Sequence, residues 1–153
     1  MKTRYFILLS FLFFTTVGFA QDKLFEKYVD ANDVTSVNIS KTMFEMMPDI
    51  QTDGLNMINL KGKIESLQIL TTENTTQKEN IRKDFSTLTG KEYEELMRVK
   101  SEGTKANFYI KKKGDQISEL ILLADSDDSF SVIRLLGNFT LRDIQNLAQG
   151  MEK

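Results

Sequence analysis

The chain has 153 residues, with 20 basic and 22 acidic side chains, a formal net charge of −2, and neither histidine nor cysteine. This length suits one domain with a single hydrophobic core, and the acidic balance argues against nucleic acid or an anionic membrane as the main partner. The two missing residue types exclude histidine-based serine triads, cysteine nucleophiles, thiol redox chemistry, disulfides and metal sites built on those ligands.

Residues 1–20 have the pattern of a cleavable secretory signal peptide. A positive start at Lys2 and Arg4 precedes an apolar stretch too short for a permanent membrane-spanning helix, and Gly18 and Ala20 form a small-x-small cleavage site. An uncleaved N-terminal anchor is the alternative. Because no cysteine follows the apolar stretch, we expect an exported protein of the periplasm or the extracellular space. We expect it not to be a lipoprotein and to have no transmembrane segment after cleavage.

The first half of the chain after the leader predicts mainly helices. Apolar residues at helical spacing predict a short helix over 22–31, and Ser40 caps a second helix that Pro48 ends. The β-branched residues of 34–39 favour a short strand, with direct entry into the next helix as the alternative. Segment 51–63, which contains two glycines, predicts a loop or a short turn that packs its apolar residues.

The second half of the chain predicts a strand, a helix, four further strands and a last helix. Period-two alternation marks 64–70 as a half-buried strand, and capping residues at 74–76 begin a helix that Gly90 ends. Thr140 caps the last helix, with Asp143 at the capping-box position. The four strands are predicted at 93–99, 106–110, 117–124 and 130–137.

This order of elements indicates an α+β domain over residues 21–153. We expect a two-layer sandwich in which a largely antiparallel sheet of four to six strands has helices packed on one face. The sequence has no internal repeat, low-complexity tract or linker that would divide the chain. One compact domain is therefore the simplest account.

Four segments carry a family resemblance: VNISKTMFEMMP at 37–48, IESLQIL at 64–70, YEELMRVK at 93–100 and ISEL at 117–120. In this order they resemble the DUF4252 family, small exported proteins of Bacteroidetes-type bacteria, over nearly the whole chain after the leader. The resemblance implies the same fold, export and a bacterial source. It implies no catalytic residue, because the family is defined as one of unknown function.

An acidic loop between the last two predicted strands is a weak candidate for a cation site. Asp125, Asp127 and Asp128 offer the clustered carboxylate oxygens that calcium prefers. The EF-hand pattern is incomplete, because Phe130 stands where glycine is needed and Leu136 where a bidentate glutamate is needed. The alternative, which we favour, is a solvated hairpin turn, since Asp and Ser are common turn residues.

Apolar side chains on both faces of the predicted sheet suggest an interaction surface. An uncovered face could receive a protein partner, a second copy of the chain or an apolar ligand. The alternative is that segment 22–31 or segment 51–63 covers that face. The candidate interaction residues are Tyr109, Leu120, Leu122, Ile133 and Leu135.

The sequence leaves the biochemical activity open. We expect a non-enzymatic exported binding or interaction domain of the periplasm or cell envelope, without a cofactor, whose partner is an envelope protein or a second copy. One competing hypothesis is a carboxylate-dependent hydrolase with two acidic groups in a concave pocket. A structural component of the envelope is the other.

Overall fold

The computed structural model describes residues 20–46, 51–52, 55–56, 60, 62–86 and 92–149. Its helices are α1 (Ala20–Val29), α2 (Lys41–Met46), α3 (Thr75–Ser86) and α4 (Leu141–Gln149). Its strands are β1 (Thr35–Ser40), β2 (Gln51–Thr52), β3 (Leu55–Asn56), β4 (Ile64–Thr72), β5 (Glu94–Ser101), β6 (Thr104–Lys113), β7 (Gln116–Ser126) and β8 (Phe130–Phe139). No helix in these ranges is long and apolar enough to cross a membrane. The expected leader up to residue 19, the helix end at Pro48 and the stop at Gly90 lie outside the described residues.

Six of the strands form one antiparallel sheet in the order β1-β4-β8-β7-β6-β5. Strands β5 to β8 follow one another as a meander, and β4 pairs with β8, so that β1 lies at the edge opposite β5. The largely antiparallel sheet is therefore confirmed, and segment 34–39 contributes strand β1. Within 51–63, where we expected a loop or turn, β2 and β3 form a separate short pair.

The sheet carries a hydrophobic cluster on each face, because successive side chains of a strand point to opposite sides. On one side, the α2/α4 face, the cluster includes Phe44, Leu67, Phe108, Leu120, Leu135, Ile144 and Leu147. On the other side, the α1/α3 face, it includes Phe25, Tyr28, Ile81, Phe85, Tyr109, Ile121 and Val132. Helices thus pack on both faces, and the expectation of helices on one face only is wrong.

Strand β7 shows why helices on one side would not be enough. Its consecutive residues Leu120, Ile121, Leu122 and Leu123 are all buried, so both faces of the strand are shielded from water. Burying a leucine or isoleucine side chain stabilises a fold by about 1.5–3 kcal/mol. Leaving either face of β7 exposed would therefore forfeit a large part of the core.

Three helices begin as the sequence predicts. At the start of α2, the Ser40 hydroxyl accepts a hydrogen bond from the Met43 backbone N–H at 3.4 Å. The Asn74 side-chain oxygen accepts a hydrogen bond from the Gln77 backbone N–H at 3.0 Å. At the start of α4, the Asp143 N–H donates to the Thr140 hydroxyl at 3.2 Å, and the Thr140 N–H donates to the Asp143 carboxylate at 2.8 Å. This reciprocal pair confirms the capping box. Lys63 forms an ion pair with Asp143 at 2.8 Å, which ties α4 to the start of β4.

Candidate functional site

A polar recess of about 320 Å³ lies between α3 and the two turns that join β5 to β6 and β7 to β8. We call it the cationic recess, because four of its lining side chains are basic and two are acidic. Its lining residues are Lys78, Arg82, Lys100, Ser101, Gly103, Thr104, Lys105, Asp125, Ser126 and Asp127. The charge of this lining is opposite in sign to that of the whole chain, which is −2.

The sheet wall of the recess is built by the β5–β6 hairpin. In its register Lys100 lies directly opposite Lys105, and Ser101 lies opposite Thr104 next to the turn. Lys105 shares the α1/α3 face with Tyr109, since they are four residues apart on one strand. Like charges placed directly opposite each other in an antiparallel pair are destabilising. The hairpin thus holds two ammonium groups side by side, while Asp125 of β7 lies opposite Lys105 on its other side and offsets part of their repulsion.

Glycine at the hairpin turn allows the two turns to approach each other. Gly103 has a φ of +71°, in the left-handed region that glycine adopts readily. A Cβ atom at this position would lie 3.0 Å from the Asp127 carboxylate oxygen of the β7–β8 turn. A larger residue at position 103 would therefore be strained and would also push against Asp127.

The helix wall of the recess is fixed by a network of ion pairs centred on Asp125. Arg82 donates from Nε and from Nη2 to the two carboxylate oxygens of Asp125, each at 2.9 Å. The Lys78 ammonium lies 3.3 Å from the same carboxylate and donates to the carbonyl oxygens of Ser126 and Asp127. Burial opposes ionisation of Asp125, but the hydrogen bond and charge of Arg82, reinforced by Lys78, lower its pKa below the ordinary value of 3.8. Lys78 and Arg82 therefore hold α3 to the β7–β8 turn.

The two lysines on the sheet wall have no such partner. Lys100 and Lys105 are exposed, and neither forms an ion pair with any residue in the described part of the chain. Two lysines on directly opposed strand positions can both donate hydrogen bonds to one oxyanion, such as a phosphate or a carboxylate. The recess thus combines a helix wall whose charges are held in ion pairs with a sheet wall whose lysines form no ion pair among the described residues.

Two of the three aspartates of the acidic loop face different groups in the part of the chain that the structure describes. No group of three or more acidic residues that could hold a metal ion occurs there. The Asp125 carboxylate faces Arg82, and the Asp127 carboxylate lies against Gly103. The loop closes as a turn, in which the Ser126 N–H donates to the Ser129 carbonyl at 2.9 Å. This geometry supports the hairpin-turn interpretation.

The five candidate interaction residues are divided between the two faces. Tyr109 belongs to the cluster on the α1/α3 face, whereas the remaining four pack on the α2/α4 face. Those four, Leu120, Leu122, Ile133 and Leu135, line a space of about 10 Å³ beneath Leu147 of α4. That volume is about the minimum for one water molecule. These side chains lie in the core, so an open apolar face at these positions is not what the structure shows.

Both segments considered as alternative covers contribute to this packing. Phe25 and Tyr28, from the segment 22–31, are each 2% exposed, and Leu60, from the segment 51–63, is 1% exposed. Phe25 and Tyr28 belong to the cluster on the α1/α3 face, and Leu60 belongs to that on the α2/α4 face. Coverage of the sheet by these segments is therefore the arrangement that the structure supports.

Sequence reasoning missed a buried ion pair on the α1/α3 face. Arg134 Nε donates to a Glu119 carboxylate oxygen at 2.5 Å, and both side chains are 5% exposed. Arg134 also donates to the Gln68 side-chain oxygen at 3.0 Å, and its guanidinium lies 5.4 Å from the centre of the Phe25 ring. The available signal was one charged residue within each of two apolar strands, which pair with each other in the meander.

Tyr93 lies next to this ion pair. Burial raises the pKa of its hydroxyl well above the ordinary value of 10.0, and the negative charge of Glu119 raises it further. Lys111 lies over the Tyr93 ring, 6.0 Å from its centre, and forms an ion pair with Glu92 at 3.1 Å. Arg134 and Glu119 are buried and Lys111 pairs with Glu92, so these charged groups contact one another and are not open to a ligand.

A second recess, of about 600 Å³, lies where the chain enters β1 and leaves β4. Asp33 and Glu73 are its two acidic lining residues. The Asp33 carboxylate accepts a hydrogen bond from the Asn74 side chain at 3.3 Å, and the Asp33 carbonyl accepts one from the Thr72 hydroxyl at 2.6 Å. Asp33 has a φ of +63°, which aspartate tolerates better than most residues. These bonds join the two connections that form the recess.

The family model for DUF4252, a domain of unknown function, matches residues 28–147. The chain belongs to the DUF4252 family. The matched region runs from the end of α1 into α4 and includes both walls of the cationic recess, and it confirms the resemblance seen in the sequence. No curated protein and no solved structure matches. For this DUF4252 domain, function therefore has to be argued from its own residues.

Proposed function

We propose that this DUF4252 domain is a non-enzymatic binding protein, exported to the periplasm or cell envelope, that holds an anionic group of its ligand in the cationic recess. The observation that carries the proposal is the direct opposition of Lys100 and Lys105 across the β5–β6 hairpin. A phosphate or carboxylate bound between them would relieve their repulsion and gain two charge-assisted hydrogen bonds. The leader-like first twenty residues support export.

The rigidity of the recess supports binding at this site. Arg82 and Lys78 fix the β7–β8 turn to α3, and Gly103 allows the hairpin turn to lie against that fixed turn. The Lys100 and Lys105 backbones are therefore positioned before a ligand arrives. Preorganisation of this kind lowers the conformational entropy that binding would otherwise cost.

The same geometry argues against lysine-based catalysis by the hairpin. Without histidine, a serine or threonine nucleophile can be activated by a lysine base that lies beside it. Along a strand, adjacent side chains point to opposite faces, so Lys100 is directed away from Ser101, and Lys105 is directed away from Thr104. The lysines of the hairpin can therefore bind an anion but cannot activate the neighbouring hydroxyl groups.

Titration with inorganic phosphate, followed by NMR of the backbone amides, tests this function. The amides around Lys100, Gly103 and Lys105 should shift saturably, and the double variant K100Q/K105Q should bind phosphate about tenfold more weakly or worse. A second double variant, K41Q/K113Q, removes the same charge from two exposed lysines outside the recess and should bind as the wild type does. Equal loss in both variants, or shifts spread over the whole surface, would refute a specific site.

A carboxylate-dependent hydrolase is the second candidate function, and the presence of both Asp33 and Glu73 in the lining of the second recess is the observation that favours it. Two carboxylates in one concavity can act as general acid and general base when their environments differ. This function requires turnover of a hydrolysable ester, glycoside or phosphate substrate that is lost in both D33N and E73Q. Turnover that persists in either variant would remove it.

A further inference from the structure

The outer edge of β1 is open to pairing with another strand, independently of anion binding. An edge strand presents a row of backbone N–H and C=O groups that another strand can pair with, and natural proteins usually protect such edges with charges, proline or bulges. The two edges of this sheet are β1 and β5. They differ in charge and in the regularity of their pairing.

Strand β5 is protected at its edge. Its pairing with β6 is interrupted by a register shift between Glu95 and Met97, which marks a bulge or irregularity. It also carries charged side chains at Glu94, Glu95, Arg98 and Lys100. A second strand that approached β5 would therefore meet charges that must be paired or desolvated, on a ladder of irregular spacing.

Strand β1 has none of these protections. Its six residues, Thr35–Ser40, contain no charge, no proline and no glycine. All six keep an unbroken register with β4, from Thr35 opposite Thr71 to Ser40 opposite Ser66. Five of the six are exposed, and no other described strand pairs with β1 on its outer side. The edge is regular, uncharged and open within the described residues.

Exposed apolar side chains surround this edge. Val37 is 42% exposed, and in α2, which follows β1 directly, Met43 is 45% and Met46 74% exposed. Val37 shares a face with Ile39, which packs against the cluster on the α2/α4 face together with Phe44 of α2. An added strand would therefore cover apolar surface as well as unpaired backbone groups.

We propose that two copies of this chain associate through antiparallel pairing of their β1 strands. In a dimer with a two-fold axis normal to the sheet, the α2/α4 faces of both copies lie on the same side. Each β1 residue must therefore lie opposite a residue whose side chain points to the same face. Centred on Val37, the pairing sets Val37 opposite Val37 and Thr35 opposite Ile39 on one face. On the other face it sets Ser36 opposite Asn38.

These pairings favour a second copy of the chain as the partner of the β1 edge. Cross-strand pairs of β-branched side chains stabilise antiparallel sheets. On the other face, the Asn38 side-chain amide can donate to the Ser36 hydroxyl, whose own proton goes to the Val29 carbonyl at 3.1 Å. Because β1 contains no charged residue, its pairing with itself brings no like charges together. The two sheets would join into one continuous sheet with Val37 on the symmetry axis.

A charge-swap experiment at Val37 tests both the interface and its register. Wild-type protein, purified after export from expressing cells, should show a concentration-dependent monomer–dimer equilibrium in analytical ultracentrifugation. V37K and V37E should each weaken the dimer about tenfold or more, because each places like charges opposite each other on the axis. An equimolar mixture of V37K and V37E should dimerise again, since lysine then lies opposite glutamate.

The control variant is V99K, which places the same charge on the same face of the sheet at the other edge. Val99 is 43% exposed, which nearly equals the exposure of Val37, so the dimerisation of V99K should match the wild type. Circular dichroism and unfolding curves confirm that each variant is folded. A wild type that stays monomeric at its highest soluble concentration would overturn the proposal. The same holds for a mixture of V37K and V37E that fails to associate, or for equal loss in V99K.

Discussion

Replacing Arg134 by methionine would remove one half of the buried ion pair with Glu119, and we expect it to lower the free energy of unfolding by about 3–5 kcal/mol. The contact between the two side chains is 2.5 Å, and both are 5% exposed, so water cannot replace the lost partner. Methionine would recover part of the apolar contact with Phe25 but no hydrogen bond. The Glu119 carboxylate and the Gln68 oxygen would both lose the donor that Arg134 gives them.

The magnitude follows from these separate losses. A hydrogen bond to a charged group contributes about 1.5–3 kcal/mol, and a desolvated cation–π contact contributes up to about 2 kcal/mol. The free energy of unfolding of a domain of this size is about 5–15 kcal/mol, so R134M should lose at least about a fifth of the stability. Urea unfolding followed by far-UV circular dichroism measures this loss directly.

A double-mutant cycle separates the cost of an orphaned charge from a general loss of packing. E119L alone should lower the free energy of unfolding by a similar amount. The double variant R134M/E119L should be within about 1 kcal/mol of the wild type, because an apolar pair can replace a buried ion pair. The reasoning is refuted if R134M costs less than about 1 kcal/mol, or if the double variant is as unstable as the sum of the single variants.

Two further predictions concern a close backbone approach and acid stability. A Cβ atom at Gly137 would lie 2.2 Å from the Lys63 carbonyl oxygen, so G137A should cost about 3 kcal/mol or more in urea unfolding. G114A, whose Cβ meets no atom within 4 Å, should cost only the roughly 1–2 kcal/mol of a left-handed backbone; equal costs would contradict the close approach. The hydrogen bond from Lys27 is the main reason why the pKa of Asp84 is lowered in the folded state. The ionised carboxylate therefore stabilises the fold above the unfolded-state pKa of about 4, and this stabilisation is lost as the pH falls through the folded-state pKa. D84N should therefore show a shallower loss of stability between about pH 5 and pH 2, and an unchanged slope would speak against this role for Asp84.

The strands were predictable because their signals are local. Period-two alternation marked 64–70, which lies within β4, and turn residues separated the four strands of the meander. The capping box at the start of α4 needs only a threonine and an acidic residue three positions later. Such features depend on neighbours in sequence, and the structure confirms them.

The placement of the helices was not predictable in the same way. The sequence shows that strand 117–124 has apolar residues on both faces, but it does not show which helix covers which face. That choice depends on β4 pairing with β8 across more than sixty residues, which leaves room for α1 and α3 on one side and α2 and α4 on the other. Pairings between distant segments are decided by the packing of the whole chain and have no local signature.

The sequence alone indicates one of the two walls of the cationic recess. A two-residue turn at Glu102–Gly103 implies that Ser101 faces Thr104 and that Lys100 faces Lys105, so the opposed lysines follow from the hairpin alone. The other wall is formed by Arg82 and Asp125, which are far apart in sequence. They meet only because α3 packs on the side of the sheet where the Asp125 side chain lies. Their network could not be foreseen without knowing which face α3 covers.

The recess and the β1 edge lie at opposite ends of the sheet, and this separation gives the two proposals independent tests. Strands β4 and β8 stand between β1 and the strands that line the cationic recess, so pairing of two β1 strands leaves the cationic recess of each copy open. A dimer would present two anion sites, and a ligand with repeated anionic groups that reaches both would be held more tightly than a single group, by avidity. Phosphate titration of V37K measures the recess without the dimer, while sedimentation of K100Q/K105Q measures the dimer without the recess. Because each variant leaves the other surface intact, the loss of one property carries no information against the other.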